Sequence, residues 1–245
     1  MRRLHGVLAA LLLLVAWQAV IWVVTPPHFI LPSPTRTAIA LWDNRALIGE
    51  HALITLWEVL LGLLIGTLLG IATAIHLALS PGARALLRPI LVFSQAIPVF
   101  ALAPVLTLWL GYGIVSKIAM AVLIIYFPVT SAFFDGLMNT PRGYLDLAQT
   151  MGAKNVSILR HLRIPHAIPS LGSGLKLAAV YAPIGAVIGE WVGSSNGLGY
   201  LMLLANGRAK IDLMFAAVLV LGALSMGLYL AVDAAINWYM RRREN

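Results

Sequence analysis

The 245-residue chain has no cysteine, which excludes disulfides and any thiolate-held metal and leaves the redox compartment open. Charge is almost as scarce. Asp, Glu, Lys and Arg make up 11% of the residues, where soluble domains carry about 25%. Apolar residues reach 60% and the mean hydropathy is +0.90. A water-soluble fold would have too few charges to cover its surface, so lipid is the solvent for most of this chain. Acidic residues are the scarcest charges, 9 against 17 basic ones, for a net +8. Such an excess can mark nucleic-acid binding, but here the charges sit at the chain ends and in short loops, as in membrane proteins. Missing too are the G-x-x-x-x-G-K-S/T run of a phosphate-binding loop and the H-E-x-x-H signature. The chain is therefore expected to bind no nucleotide and to be no enzyme. His51, His76, His161 and His166 lack metal-ligand spacing and read as solvated.

What is present is a series of apolar stretches. A spanning helix needs about 20 mainly apolar residues, and residues 4–24, 51–79, 86–110, 114–134, 171–190 and 213–238 qualify. The fold class is all-α, a polytopic membrane protein of about six spans. The first stretch follows Arg2 and Arg3 like a signal peptide, but no small-x-small site closes it, and it reads as a retained helix. Gly62, Gly66 and Gly70 recur every fourth position in the second stretch, a smooth ridge on which another helix can close. Pro98 and Pro104 interrupt the third stretch and Pro183 the fifth, breaks of a kind that line cavities or merely kink a helix.

With the N-terminus inside, twelve Lys and Arg fall on inner segments and five on the outer side: Arg36, Arg45, Lys117, Arg208 and Lys210. That asymmetry places both termini in the cytoplasm. Residues 1–50 form a first span and an outer segment, where LPSPT and TAIALWDN predict an extended approach and a short amphipathic helix. Residues 51–245 form the main transmembrane unit, with a long polar loop at 136–170.

That loop reads GLMNTPRGYLDLAQTMGAKNVSILRHLRIPHAIPS. Leu145, Ala148 and Met151 share a helical face, and Asp146 near the start of the helix suits its dipole. Gly152 permits a sharp break, and Val156, Ile158, Leu159 and Leu162 mark a second short helix that Pro165 and Pro169 are expected to stop. A bilayer requires no such helix–Gly–helix knob; docking to a soluble partner does.

The stretch DLAQTMGAKNVSILRHLRIP resembles the EAA loop of binding-protein-dependent ABC importer permeases. That pattern is E-A-A, three residues, Gly, nine residues, then I-x-L-P. Asp146, Leu147 and Ala148 stand at the E-A-A positions, Gly152 follows after three residues, and nine more lead to Leu162, Arg163, Ile164 and Pro165. Asp replaces Glu and Leu the first Ala, which shortens the reach of the acidic group. The resemblance implies a type I (MetI-like) importer fold and a pair of permease copies, each seating its loop in a cytoplasmic ABC ATPase dimer. ATP and Mg would be bound by that ATPase and not by this chain, and a periplasmic substrate-binding protein would deliver the substrate. LPSPT and IPVFALAPVLTLWLGYG resemble the nitrate, sulfonate and taurine group. SQAIPVFALAPVL, FPVTSAFFDGL and APIGAVIGEWVGSSNGLGYLM look closest to its branch for hydroxymethylpyrimidine, a thiamine precursor.

Candidate pathway residues are Ser94 and Gln95 ahead of Pro98, Trp109 and Tyr112 near the outer interface, and Glu190 at the outer end of the fifth stretch. Each has a plainer reading: interhelical hydrogen bonds for the first two, the aromatic belt for the next two, and an anchor paired with Arg208 or Lys210 for Glu190. Glu58 faces either a partner subunit or an internal salt bridge, and Asp135 is expected to be solvated. A secondary transporter would instead carry coupling charges at mid-membrane and would have no use for the loop.

Overall fold

The computed structural model describes residues 2–244; the side chains of Arg2, Arg3 and Arg243, which enter the inner charge count, lie outside the described residues. The chain runs through α1 (Arg2–Val24), α2 (Pro34–Asp43), α3 (Arg45–Leu79), α4 (Pro81–Ala96), α5 (Val99–Leu110) and α6 (Ile114–Met138). It continues through α7 (Arg142–Thr150), α8 (Asn155–Ile158), a π-helical turn at Leu159–Arg163, α9 (Ile164–Gly193), α10 (Leu198–Gly207) and α11 (Ile211–Glu244). Among the described residues no strand occurs.

Helix α6 is the centre of the bundle, and small residues put it there. On α3, Gly62, Gly66 and Gly70 lie against Ala121, Ile125 and Val129 of α6; a Cβ at those glycines would stand 2.6, 2.6 and 2.9 Å from the facing side chains. The ridge read from the sequence is therefore filled within the chain. On the other side, a Cβ at Gly185 of α9 would stand 2.5 Å from the Cα of Ala121, and one at Gly174 would stand 2.8 Å from the Cβ of Ala132. Ala178, Ala182 and Ala186 continue that face, all fully buried. With no hydrophobic driving force between helices in lipid, such close backbone approach and the dispersion contact it allows hold the bundle together.

The third expected span is broken. α4 and α5 meet at 101°, with Ile97 and Pro98 both extended, because the residue before a proline is driven out of the helical region. Pro104 and Pro183 lie inside α5 and α9 without ending them. Pro165 and Pro169 do not stop the loop helix either. The π-helical turn, in which the N–H of Ile164 bonds to the carbonyl of Leu159, takes up the register ahead of Pro165, which has no N–H to donate. The helix consequently runs unbroken over Asn155–Gly193, 39 residues. Among the described residues, by length and composition, four helices can cross a membrane, or five if the bent pair is one span. The remaining expected span coincides with α1, whose described apolar part is Leu11–Val24.

The segment between α1 and α3 folds as its sequence predicts. Ser33 caps α2, accepting the N–H of Arg36 at 3.2 Å, and Pro34 occupies the first turn, where its missing N–H costs nothing. Arg36 then pairs with Asp212 of α11 at 3.0 Å.

Overpacking the α6–α9 contact tests this arrangement. Gly185→Val pushes a side chain into the backbone of α6 and is expected to destabilise by about 1–3 kcal/mol or more. Gly222→Ala, where a Cβ meets nothing within 4 Å, is expected to leave thermal unfolding in detergent unchanged or slightly raised.

Candidate functional site

Two regions at opposite ends of the α3–α6–α9 core carry the distinctive chemistry. At the end where α6 closes and α9 begins, α7 and α8 form a rooted knob. α7 ends in a left-handed Gly152, φ +77°. The N–H of Gly152 donates to the carbonyl of Gln149 and that of Ala153 to Ala148, both at 2.9 Å, the paired bonds of a Schellman turn. A Cβ at Gly152 meets nothing within 4 Å, so glycine is required here by the backbone and not by lack of room.

The knob has an inner and an outer side. Ile158 and Leu159 are buried, and Leu159 joins a core with Leu77, Phe133, Leu137 and Ala167. Arg84 reaches back from α4 to the last carbonyls of α3, Leu77 and Ala78, at 3.2 Å each. Facing out are Tyr144, Leu147, Met151 and Val156, with Met151 78% exposed. The expected Leu145–Ala148–Met151 face is thus divided: Leu145 and Ala148 are half-buried and Met151 stands free. Asp146 is exposed and is the fifth residue of α7, outside its first turn, so it does not serve the helix dipole as expected. Ile164 and Pro165, both half-buried, form the base where the knob joins α9.

At the opposite end, polar groups are drawn into the bundle. Glu190 of α9 is 1% exposed. Its Oε1 accepts the hydroxyl of Thr55 at 2.6 Å, and its Oε2 accepts the N–H of Gly199 at 2.5 Å. Thr55 in turn accepts the N–H of Leu198 at 2.8 Å, and Nδ1 of His51 accepts that of Gly197 at 3.0 Å. One helical turn along α3, Glu58 pairs with Lys117 of α6 at 2.7 Å, both buried. Glu190 therefore closes on α10 and not on Arg208 or Lys210, and Glu58 takes the internal salt bridge of its two readings.

The other candidates do not converge with Glu190. Ser94 donates to the carbonyl of Leu91 in its own helix at 2.7 Å, and Gln95 is exposed. Trp109 and Tyr112 lie beyond the α4–α5 bend, each 75% exposed, with the Tyr112 ring against Gly193. Asp135 is exposed, as expected. Lys117 and Lys176, counted as flanking charges, lie inside α6 and α9; Lys176 pairs with Asp233 of α11 at 2.5 Å. His51, which reads from the sequence as solvated, and Thr55, which that reading passes over, are both buried members of this cluster. Their signal was a polar stripe, His51, Thr55 and Glu58, at helical spacing on an otherwise apolar helix.

Comparison with known proteins decides the family. A model of the binding-protein-dependent transport system inner membrane component matches residues 66–245. The chain belongs to that family. It is 51% identical over 241 residues to a probable ABC transporter permease protein of Haemophilus influenzae, covering 98% of this chain and 97% of that one. It is 38% identical over 198 residues to the formylaminopyrimidine transport permease protein ThiX of Halalkalibacterium halodurans, covering 80% and 79%. A crystal structure of an amino acid ABC transporter aligns with a TM-score of 0.66 at 14% identity, covering 83% of this chain and 97% of that one, which shows the shared fold. The permease is a multi-pass inner-membrane protein and, as a permease subunit, not itself an enzyme.

The buried ion pair of this permease gives a prediction. Lys117→Met strips Glu58 of its partner inside the bundle and is expected to cost about 3–5 kcal/mol. Adding Glu58→Leu should recover most of it, read as folded yield and thermal unfolding in detergent.

Proposed function

We propose that this permease imports a pyrimidine precursor of thiamine, hydroxymethylpyrimidine or a close relative, driven by an ABC ATPase that grips the α7–α8 knob from the cytoplasm. The observation that carries the reading is the knob itself. Four large side chains, Tyr144, Leu147, Met151 and Val156, face outward on a turn whose geometry is fixed by Gly152 and whose root is Leu159. Exposed apolar groups on a rigid polar loop mark a protein interface. In this reading Asp146, Leu147, Ala148 and Gly152 shape the contact, and Ile164 and Pro165 pass its movement into α9.

A second copy of the chain completes the pathway, both termini face the cytoplasm, and a periplasmic binding protein loads substrate at the outer side. ATP and Mg²⁺ stay with the ATPase; its closure draws two knobs together and exposes the path to each side in turn. Ser94, Gln95, Trp109 and Tyr112, on the loosely covered α4–α5 arm, are the residues of this chain offered to the path. The 38% identity to a formylaminopyrimidine transport permease supports the pyrimidine class.

Uptake of labelled hydroxymethylpyrimidine and formylaminopyrimidine, in cells unable to make the pyrimidine, tests the substrate. Gene-dependent uptake of either is expected; uptake of taurine or an alkanesulfonate instead would overturn the pyrimidine assignment and keep the importer. Gly152→Val tests the knob. A β-branched residue forced to φ +77° costs about 1–2 kcal/mol of backbone strain and displaces the outward face. Substrate-driven ATP hydrolysis and uptake are expected to fall at least about tenfold, the effect of about 1.4 kcal/mol, with membrane insertion intact. Unaltered transport would contradict docking at this loop.

A further inference from the structure

The polar cluster around Glu190 ties α10 to the rest of the permease, and the way it does so is informative. The first amide groups of a helix have no partner inside it. Surface helices cap them with a neighbouring Ser, Thr, Asn or Asp, and the loop before α10 offers Ser194, Ser195 and Asn196. None of them is used: Ser194 and Asn196 bond to each other, Oγ of Ser194 accepting the Asn196 N–H at 3.0 Å and donating to its carbonyl at 2.5 Å. The N–H groups of Gly197, Leu198 and Gly199 go instead to His51, Thr55 and Glu190, side chains of α3 and α9. A buried carboxylate is costly at membrane depth, and here it sits on the positive end of a ten-residue helix. Gly197 and Gly199 are required by that carboxylate, since a Cβ at either would collide with it.

Glu190 also occupies a telling place along α9. The continuous helix Asn155–Gly193 has the α8 part of the knob at one end and Glu190 three residues from the other. Beyond it, the covalent link to α10 is only the bend at 194–197. α10 also packs Leu198, Leu201, Met202 and Ala205 against Ile48 of α3 and Leu213, Ala216 and Ala217 of α11; the bond from Gly199 to Glu190 is what fastens its first turn to α9.

We propose that Glu190, with Thr55, is a positioning residue for coupled transport: it makes α10 move as one body with α9, so that displacement of the knob at the inner face repositions α10 at the outer face. The inference rests on the reading of the knob as the ATPase contact. In it α10 is a driven element of the outer closure, and the loop 194–196 before it, with Ser195 and Asn196 exposed, moves too.

The test is the number of substrate molecules imported per ATP hydrolysed by the complete complex of permease, ATPase and binding protein in liposomes. Glu190→Gln puts an NH2 in place of one of the two oxygens that accept the Thr55 hydroxyl and the Gly199 N–H, and Thr55→Val removes the shared hydroxyl. For both, import per ATP is expected to fall about tenfold, the scale of one unsatisfied buried group, while ATP hydrolysis and assembly persist. Thr55→Ser keeps the hydroxyl and is expected to match the parent, which keeps the test decisive if Glu190→Gln assembles poorly. Import per ATP unchanged in Glu190→Gln and Thr55→Val overturns the inference. So does ATP hydrolysis that falls in step with import, because that is the mark of a purely structural role. A parent complex whose ATP hydrolysis ignores the permease overturns it together with the knob reading, which separates the two failures.

Discussion

Everything in this permease depends on how closely three helices approach. α6 is held between the glycine ridge of α3 and the glycine and alanine face of α9, at distances where an added methyl would overlap its neighbour. In a bilayer that proximity does the work that burial of oil from water does elsewhere. It also sets a rigid frame. The knob at one end and the α10 tie at the other are placed by the same α9, so neither can shift independently of the core without breaking side-chain contacts.

The scarcity of charge has a structural counterpart. Where charged groups do enter the bundle, they come with partners: Lys117 with Glu58, Lys176 with Asp233, and Glu190 with a hydroxyl and a backbone amide. Each partnership joins different helices, so polar groups that would be a liability in lipid serve as cross-links. The apolar face of the knob is the reverse case, large hydrophobic side chains left exposed on a loop, and it is there that the proposed function seats the ATPase.

Much of this was legible in the sequence. The spacing of Gly62, Gly66 and Gly70 announced a close helix contact, and the resemblance carried by the Asp146–Gly152–Pro165 spacing pointed to the family that the comparisons show. What was not legible depended on three-dimensional context. Among the described residues six prolines, Pro89, Pro104, Pro128, Pro165, Pro169 and Pro183, lie within continuous helices without ending them, Pro165 beside a π-helical turn, and Pro98, between α4 and α5, marks the break. Lys117 reads as a loop charge until Glu58 is seen across from it. Glu190 was noticed, but its partners could not be, since backbone amides leave no mark in a sequence. The stripe of His51, Thr55 and Glu58 was the one available hint.

The account stands or falls on where the ATPase touches this chain. Because the sequence has no native cysteine, one can be introduced at Met151 on the knob and, separately, at Asn196 on the opposite end. Each is then treated with a short bifunctional cross-linker in membranes containing the ATPase. The account predicts that Met151→Cys links to the ATPase, more strongly or less strongly as ATP is added, and that Asn196→Cys does not. Linking from Asn196→Cys with none from Met151→Cys would contradict it.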